Sequence, residues 1–108
     1  VALLEEAVEL REAGVLEPIL VLGGVYPGYE DLALRHDLSM VVWEPEQCER
    51  LAAARRRPGG RAARVHLKLD SGMGRLGVRP EAFQAMLERA DLREATDGKL
   101  EGIMTHLA

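Results

Sequence analysis

The chain has 108 residues, 47% of them hydrophobic and 30% charged, the profile of an ordinary globular sequence with enough apolar surface for one core. Its net charge of −4 argues against nucleic acid or an anionic membrane as the main partner, because both select clustered positive charge. No apolar run approaches the roughly 20 residues of a membrane span, and Glu5 and Glu6 stand where a signal peptide would be basic, so a cytoplasmic location is expected.

In chain order, Leu3, Leu4, Ala7, Val8 and Leu10 recur at helical spacing, with Arg11 in the last turn and Gly14 as the stop, which predicts a first helix. Ile19 to Leu22, a continuous apolar run between Pro18 and Gly23-Gly24, predicts a strand buried on both faces. A short helix is expected over Tyr29 to His36 and a second apolar strand over Met40 to Trp43. Pro45 suits the first turn of a helix and opens one that runs to about Arg55. Arg64 to Leu69 predicts the third strand, Pro80 starts a helix through Phe83, Met86 and Leu87, and Leu100 to Thr105 predicts a fourth strand. Strands alternating with helices imply parallel pairing, in either an open doubly wound sheet or part of a closed barrel. Four strands cannot close a barrel, and a complete (β/α)₈ barrel takes about 250 residues, so the barrel alternative requires about half of that domain to lie outside this chain. A start at Val1 without methionine and an end at Ala108 directly after an apolar run agree with an internal fragment.

Chemistry concentrates in the third strand and the turn after it. Because strand side chains alternate, Val65, Leu67 and Leu69 share one face while His66, Lys68 and Asp70 share the other. On an exposed sheet that ionisable face would be merely solvated. Facing a barrel interior, the Lys68 amine would lose water, need a partner, and become available in its neutral form for chemistry or modification. Ser71-Gly72-Met73-Gly74-Arg75-Leu76-Gly77 forms a glycine-rich turn at the carboxyl end of that strand, where parallel α/β proteins bind ligands. Gly72, Gly74 and Gly77 have the spacing of a dinucleotide fingerprint, but there the glycines open the helix themselves, whereas here the helix waits for Pro80. The acidic residue expected about 20 positions on, at the end of the next strand, is also missing. Arg75 is a fixed cation suited to a phenolate, carboxylate or phosphate. His106 follows the fourth strand on the side shared by Gly102 and Met104. The three histidines, His36, His66 and His106, form no helix-spaced pair with a carboxylate, so no metal site is predicted. Cys48, the only cysteine, reads as a small buried hydrophobe. The run Arg55 to Arg61 joins a helix end to a strand start, opposite the ligand face, and reads as a solvated loop.

Three segments, Pro18-Ile19-Leu20-Val21-Leu22-Gly23, the stretch from His66 to Gly77, and Leu100 to Ala108, together resemble bacterial alanine racemases, with Ser71 where threonine is commoner. The resemblance spans essentially the whole chain. It implies a partial (β/α)₈ TIM-type barrel, residues 1–108 being the central part of a barrel domain that binds pyridoxal 5′-phosphate. The first barrel strand or strands, the remaining barrel and a C-terminal β domain would lie elsewhere in a homodimeric parent that interconverts L-alanine and D-alanine, the form supplied to peptidoglycan. By the same resemblance Arg75 matches an arginine that binds the cofactor's phenolic oxygen and the substrate carboxylate, Lys68 a lysine often carried as a carbamate that orients that arginine, and His106 a histidine beside the pyridine ring. The family's Schiff-base lysine would precede Val1, since the lysines here are Lys68 and Lys99, and its partner-subunit tyrosine, phosphate-binding residues and ring-nitrogen arginine would follow Ala108. The fragment is therefore expected to be inactive alone. Alternatives are a serine or broad-specificity racemase of the same fold, a non-catalytic carrier of pyridoxal phosphate, and a nicotinamide-binding domain.

Overall fold

A computed structural model describes residues 1–70 and 77–105. The elements run α1 (Leu4–Glu12), β1 (Leu20–Val21), α2 (Glu30–Arg35), β2 (Ser39–Val42), α3 (Pro45–Arg56), β3 (Arg64–Leu69), α4 (Pro80–Leu87), α5 (Ala90–Thr96) and β4 (Gly102–Thr105). Both helices expected to open on proline do so, at Pro45 and Pro80, where the missing N–H costs nothing. Gln47 completes the start of α3: its buried side-chain oxygen accepts from the backbone N–H of Trp43 at 2.7 Å and Glu44 at 2.9 Å, tying the helix to the end of β2. Two expectations need correction. The first strand pairs only through Leu20 and Val21, because the Leu22 and Gly23 N–H groups turn to the carbonyls of Val1 and Ala2, and Leu22 is half-exposed rather than buried. The single helix expected after the glycine-rich turn is two, since Arg89 breaks the run and Asp97, at φ 53°, ends α5.

The four strands are parallel and ordered β1-β2-β3-β4. The register aligns Val21 with Met40, Met40 with Val65, and Val42 with Leu67, so these residues share one face. All of them belong to a single core with Leu4 and Ala7 of α1, Ala33 and Leu34 of α2, Cys48 and Leu51 of α3, Met86 of α4, and Leu92 of α5. All five helices therefore cover the same side of the sheet. The opposite side, which carries Ser39, Val41, Arg64, His66, Lys68, Gly102 and Met104, meets no helix of that core. A doubly wound sheet needs helices on both faces and a reversal of strand order. Sequential order with one helical layer is instead the winding of a barrel, so the chain is a partial (β/α)₈ barrel whose helix-free face is the barrel interior. No helix among the described residues is long and apolar enough to cross a membrane.

Candidate active site at the strand carboxyl ends

The inner face has two levels. At the amino-terminal end of the strands, Glu101, directly before β4, links β2 and β3: its carboxylate accepts from Ser39 Oγ of β2 at 2.5 Å, pairs with His66 Nε2 of β3 at 2.9 Å, and accepts from Arg64 of β3 at 3.3 Å. Arg64 also donates to Asp37 at 2.9 Å. Desolvation pushes the Glu101 pKa upward, but the hydrogen bonds from Ser39, His66 and Arg64 together outweigh it and hold the carboxyl below its ordinary range. Gly102, the register partner of His66, leaves room for the imidazole, since a β-carbon there would lie 2.8 Å from His66 Nδ1. These polar groups satisfy one another and form a floor.

Lys68 stands one level higher, in the carboxyl-terminal half of β3 on the same face as His66, half-buried and aligned with Met104 of β4. Its ammonium has no ion pair among the described residues. Asp70, grouped with Lys68 on the alternation pattern alone, instead follows the end of β3 and is buried. The exit from β3 is tightly closed: Asp70 N–H donates to the Val78 carbonyl at 2.8 Å and Val78 N–H donates to the Lys68 carbonyl at 2.7 Å, so the chain returns to the strand it left. The carboxyl end of β4 is fastened to the same place by Thr105 Oγ1, which donates to the Leu69 carbonyl at 3.0 Å. Arg75 and His106 lie outside the described residues. Of the sites predicted from sequence, Lys68 alone has a described position.

The arginine run after α3 is opposite this end. Arg55 pairs with Asp97, Arg56 with Glu94, and Arg57 with Asp31, so the guanidinium groups brace α3 against α5 and α2. Cys48 is fully buried, and burial pushes its thiol pKa up to about 11. Glu101, Ser39 and Arg64 were not distinguishable as an inner-face network from sequence. The one available signal was the small residue Gly102 next to Glu101, and it acquires meaning only from the pairing of β4 with β3.

Parallel strands wound in sequence under one helical layer, with an amine on the inner face near their carboxyl ends, define a (β/α)₈-barrel protein of the kind that binds ligands inside its rim. The family model described as "Alanine racemase, N-terminal domain" matches residues 1–108. The chain belongs to that family. It is 49% identical to the alanine racemase of Sorangium cellulosum and 44% identical to that of Geobacter sulfurreducens, covering 100% of this chain in both alignments and 29% and 28% of those proteins. The crystal structure of alanine racemase from E. faecalis superimposes with a TM-score of 0.83 at 42% identity over 100% of this chain and 29% of that one. The chain thus spans a little under a third of the length of the relatives it matches.

Proposed function

We propose that residues 1–108 are the central part of the cofactor-binding barrel of a pyridoxal-phosphate-dependent racemase that interconverts L-alanine and D-alanine. The rest of the barrel and a C-terminal β domain belong to the remainder of a homodimeric parent. The observation that carries this reading is the inner face of β1 to β4, which lies outside the helix-covered core and has Lys68 at its carboxyl half, in a chain that matches the alanine racemase family from end to end. The face suits a flat aromatic anion. Leu20 alternates with buried Val21 and is aligned with Ser39, which places it on the inner face, and Met104 beside Lys68 adds a second apolar side chain, while the Lys68 amine supplies polarity at the edge.

When bound, pyridoxal phosphate supplies the sink for the electron pair left at the substrate α-carbon. The chain's own contribution is electrostatic. Arg75, which follows β3 in the sequence, would hold its fixed charge against an anionic oxygen of the cofactor and against the substrate carboxylate. Lys68, carried as a carbamate, is an anion that pairs with Arg75 and orients it. His106, which follows β4 in the sequence, would lie beside the ring. Racemisation needs a base on each face of the α-carbon, and those bases come from the parent outside this chain. Arg75→Ala in the full-length parent is expected to lower kcat/KM for alanine by roughly 10²-fold, the scale for one preorganised donor. Kinetics equal to the unmodified enzyme would remove Arg75 from the site.

A further inference from the structure

We infer that Gly102 is a positioning residue for Lys68: it is the one residue of β4 that admits the His66 imidazole, and so it fixes which residue of β4 stands beside the Lys68 amine. The inference rests on the racemase reading for the role of Lys68, but its geometry is independent of that reading. A β-carbon on Gly102 would lie 2.8 Å from His66 Nδ1, 2.9 Å from Cε1 and 3.5 Å from Cγ, so the ring fills the space a side chain would take. Swinging the imidazole aside has a cost. Its Nε2 is paired with Glu101 Oε1 at 2.9 Å, and the same oxygen accepts from buried Ser39 at 2.5 Å.

A strand that slips by one residue turns its side chains to the wrong faces, so the competing registers of β4 are those shifted by two. A shift by two in either direction sets Leu100 or Met104 against His66 in place of Gly102. Each brings a β-carbon into the space the ring already fills. The same shift carries the Glu101 carboxylate about 7 Å along the strand, beyond reach of Ser39 and Arg64. The fit of His66 to Gly102, closed by Glu101, therefore selects one register. In that register Met104 is aligned with Lys68, and Thr105 Oγ1 reaches the Leu69 carbonyl at 3.0 Å. Lys68 is half-buried and has no ion pair among the described residues, so its surroundings on this side are the apolar Met104. Gly102 acts on the amine through the register, one level below it on the inner face.

The test uses four forms of the full-length parent: unmodified, Gly102→Ala, His66→Ala and the double variant. In the cofactor-free protein, in buffer purged of carbon dioxide, reductive methylation of Lys68 is followed by peptide mass spectrometry with Lys99 as the internal reference. Amide hydrogen exchange over residues 101–105 and the melting midpoint are measured on the same samples, and the loaded enzyme gives kcat and KM for alanine. We expect Gly102→Ala to lose exchange protection, to methylate Lys68 faster relative to Lys99, and to lose about 10²-fold in kcat/KM, the scale for misplacing a group by about 1 Å. In the His66→Ala background the same substitution should cost under about threefold, because the ring it collides with is gone while Ser39 and Arg64 still hold Glu101. Full, multiplicative losses in both backgrounds would overturn the inference, as would unmodified activity and protection in Gly102→Ala, which would mean that the imidazole swings aside freely. A lowered melting midpoint with Lys68 methylated at the unmodified rate would overturn it too, for Gly102 would then support the fold alone. A parent that racemises no alanine would defeat only the functional reading, because methylation and exchange need no turnover. Should Gly102→Ala fail to fold, the double variant still decides: it is expected to fold and to match His66→Ala within about threefold in kcat/KM. Misfolding of the double variant beside a folded His66→Ala would sink the idea.

Discussion

Glu101→Ala in the full-length parent leaves Ser39, His66 and Arg64 without the acceptor they share. The three losses are unequal. Ser39 is buried, so its hydroxyl bears a desolvation cost of about 1–2 kcal/mol. The His66 side chain is 24% exposed and recovers part of its bond from water, and Arg64 keeps Asp37, so each adds about 0.5 kcal/mol or less. The sum is about 2 kcal/mol. Glu101→Gln should be milder, because Ser39 and His66 both address Oε1, which the amide oxygen can replace, and only the weak 3.3 Å contact with Arg64 at Oε2 turns unfavourable. That variant is expected to lose about 0.5–1 kcal/mol, chiefly the charge assistance. The pH dependence separates the two terms. The folded carboxyl has a pKa below its ordinary value of 4.5, so between those two values the unfolded chain binds more protons. The stabilisation is complete above the unfolded value and is lost as pH falls through the folded one. Urea unfolding of the barrel, followed by far-ultraviolet circular dichroism at neutral pH and again well below pH 4.5, should show the Glu101→Gln deficit at neutral pH shrinking in acid. Equal deficits for the alanine and glutamine variants, or a glutamine deficit that grows on acidification, would refute the network as an energetic unit.

The remaining expectations concern the helical layer. Arg11 donates to four carbonyls, those of Val15, Glu17, His36 and Asp37, which fasten the loop after α1 and the end of α2. Arg11→Ala should cost about 1–3 kcal/mol in urea unfolding, and Arg11→Lys should recover only part, because an ammonium cannot reproduce the planar fork. Equal stability of the lysine variant and the unmodified protein would contradict this. Cys48 should resist a thiol-specific reagent at neutral pH in the native protein and react fully in denaturant, since the thiolate is scarce below its pKa of about 11 and the sulfur is enclosed. Native-state labelling at the rate of a free thiol would show the α3 interface to be open.

Local signals carried the elements well. Pro45 and Pro80 set helix starts, and the alternation of Arg64 to Leu69 placed β3 with His66 and Lys68 inward and Val65 and Leu67 under the helices. The α5 helix escaped because Leu92 is the one large apolar residue in Ala90–Thr96, too little for a periodic stripe. β1 was read as too long because an apolar run does not reveal which N–H groups find ladder partners. Whether the sheet was open or barrel-like lay beyond local pattern, for both windings share the same alternation of elements, and only strand order with one helical layer decides between them. The Glu101 floor is the clearest case of the same limit, since its partners lie 35, 37 and 62 residues away in the chain. The arginine run was read as solvated, yet each of Arg55, Arg56 and Arg57 meets an acid from another element, a fact that spacing within the run could not convey. Glycine spacing offered a dinucleotide alternative, but the described helix starts at Pro80, after Val78 has already returned to β3, so the glycines do not open it.

The central claim is most directly tested by following D-alanine formation from L-alanine in the full-length parent, before and after pyridoxal phosphate is stripped and restored. The account predicts activity that disappears with the cofactor and returns with it. A parent that binds pyridoxal phosphate yet forms no D-alanine would contradict it and would favour a carrier or a racemase for another amino acid.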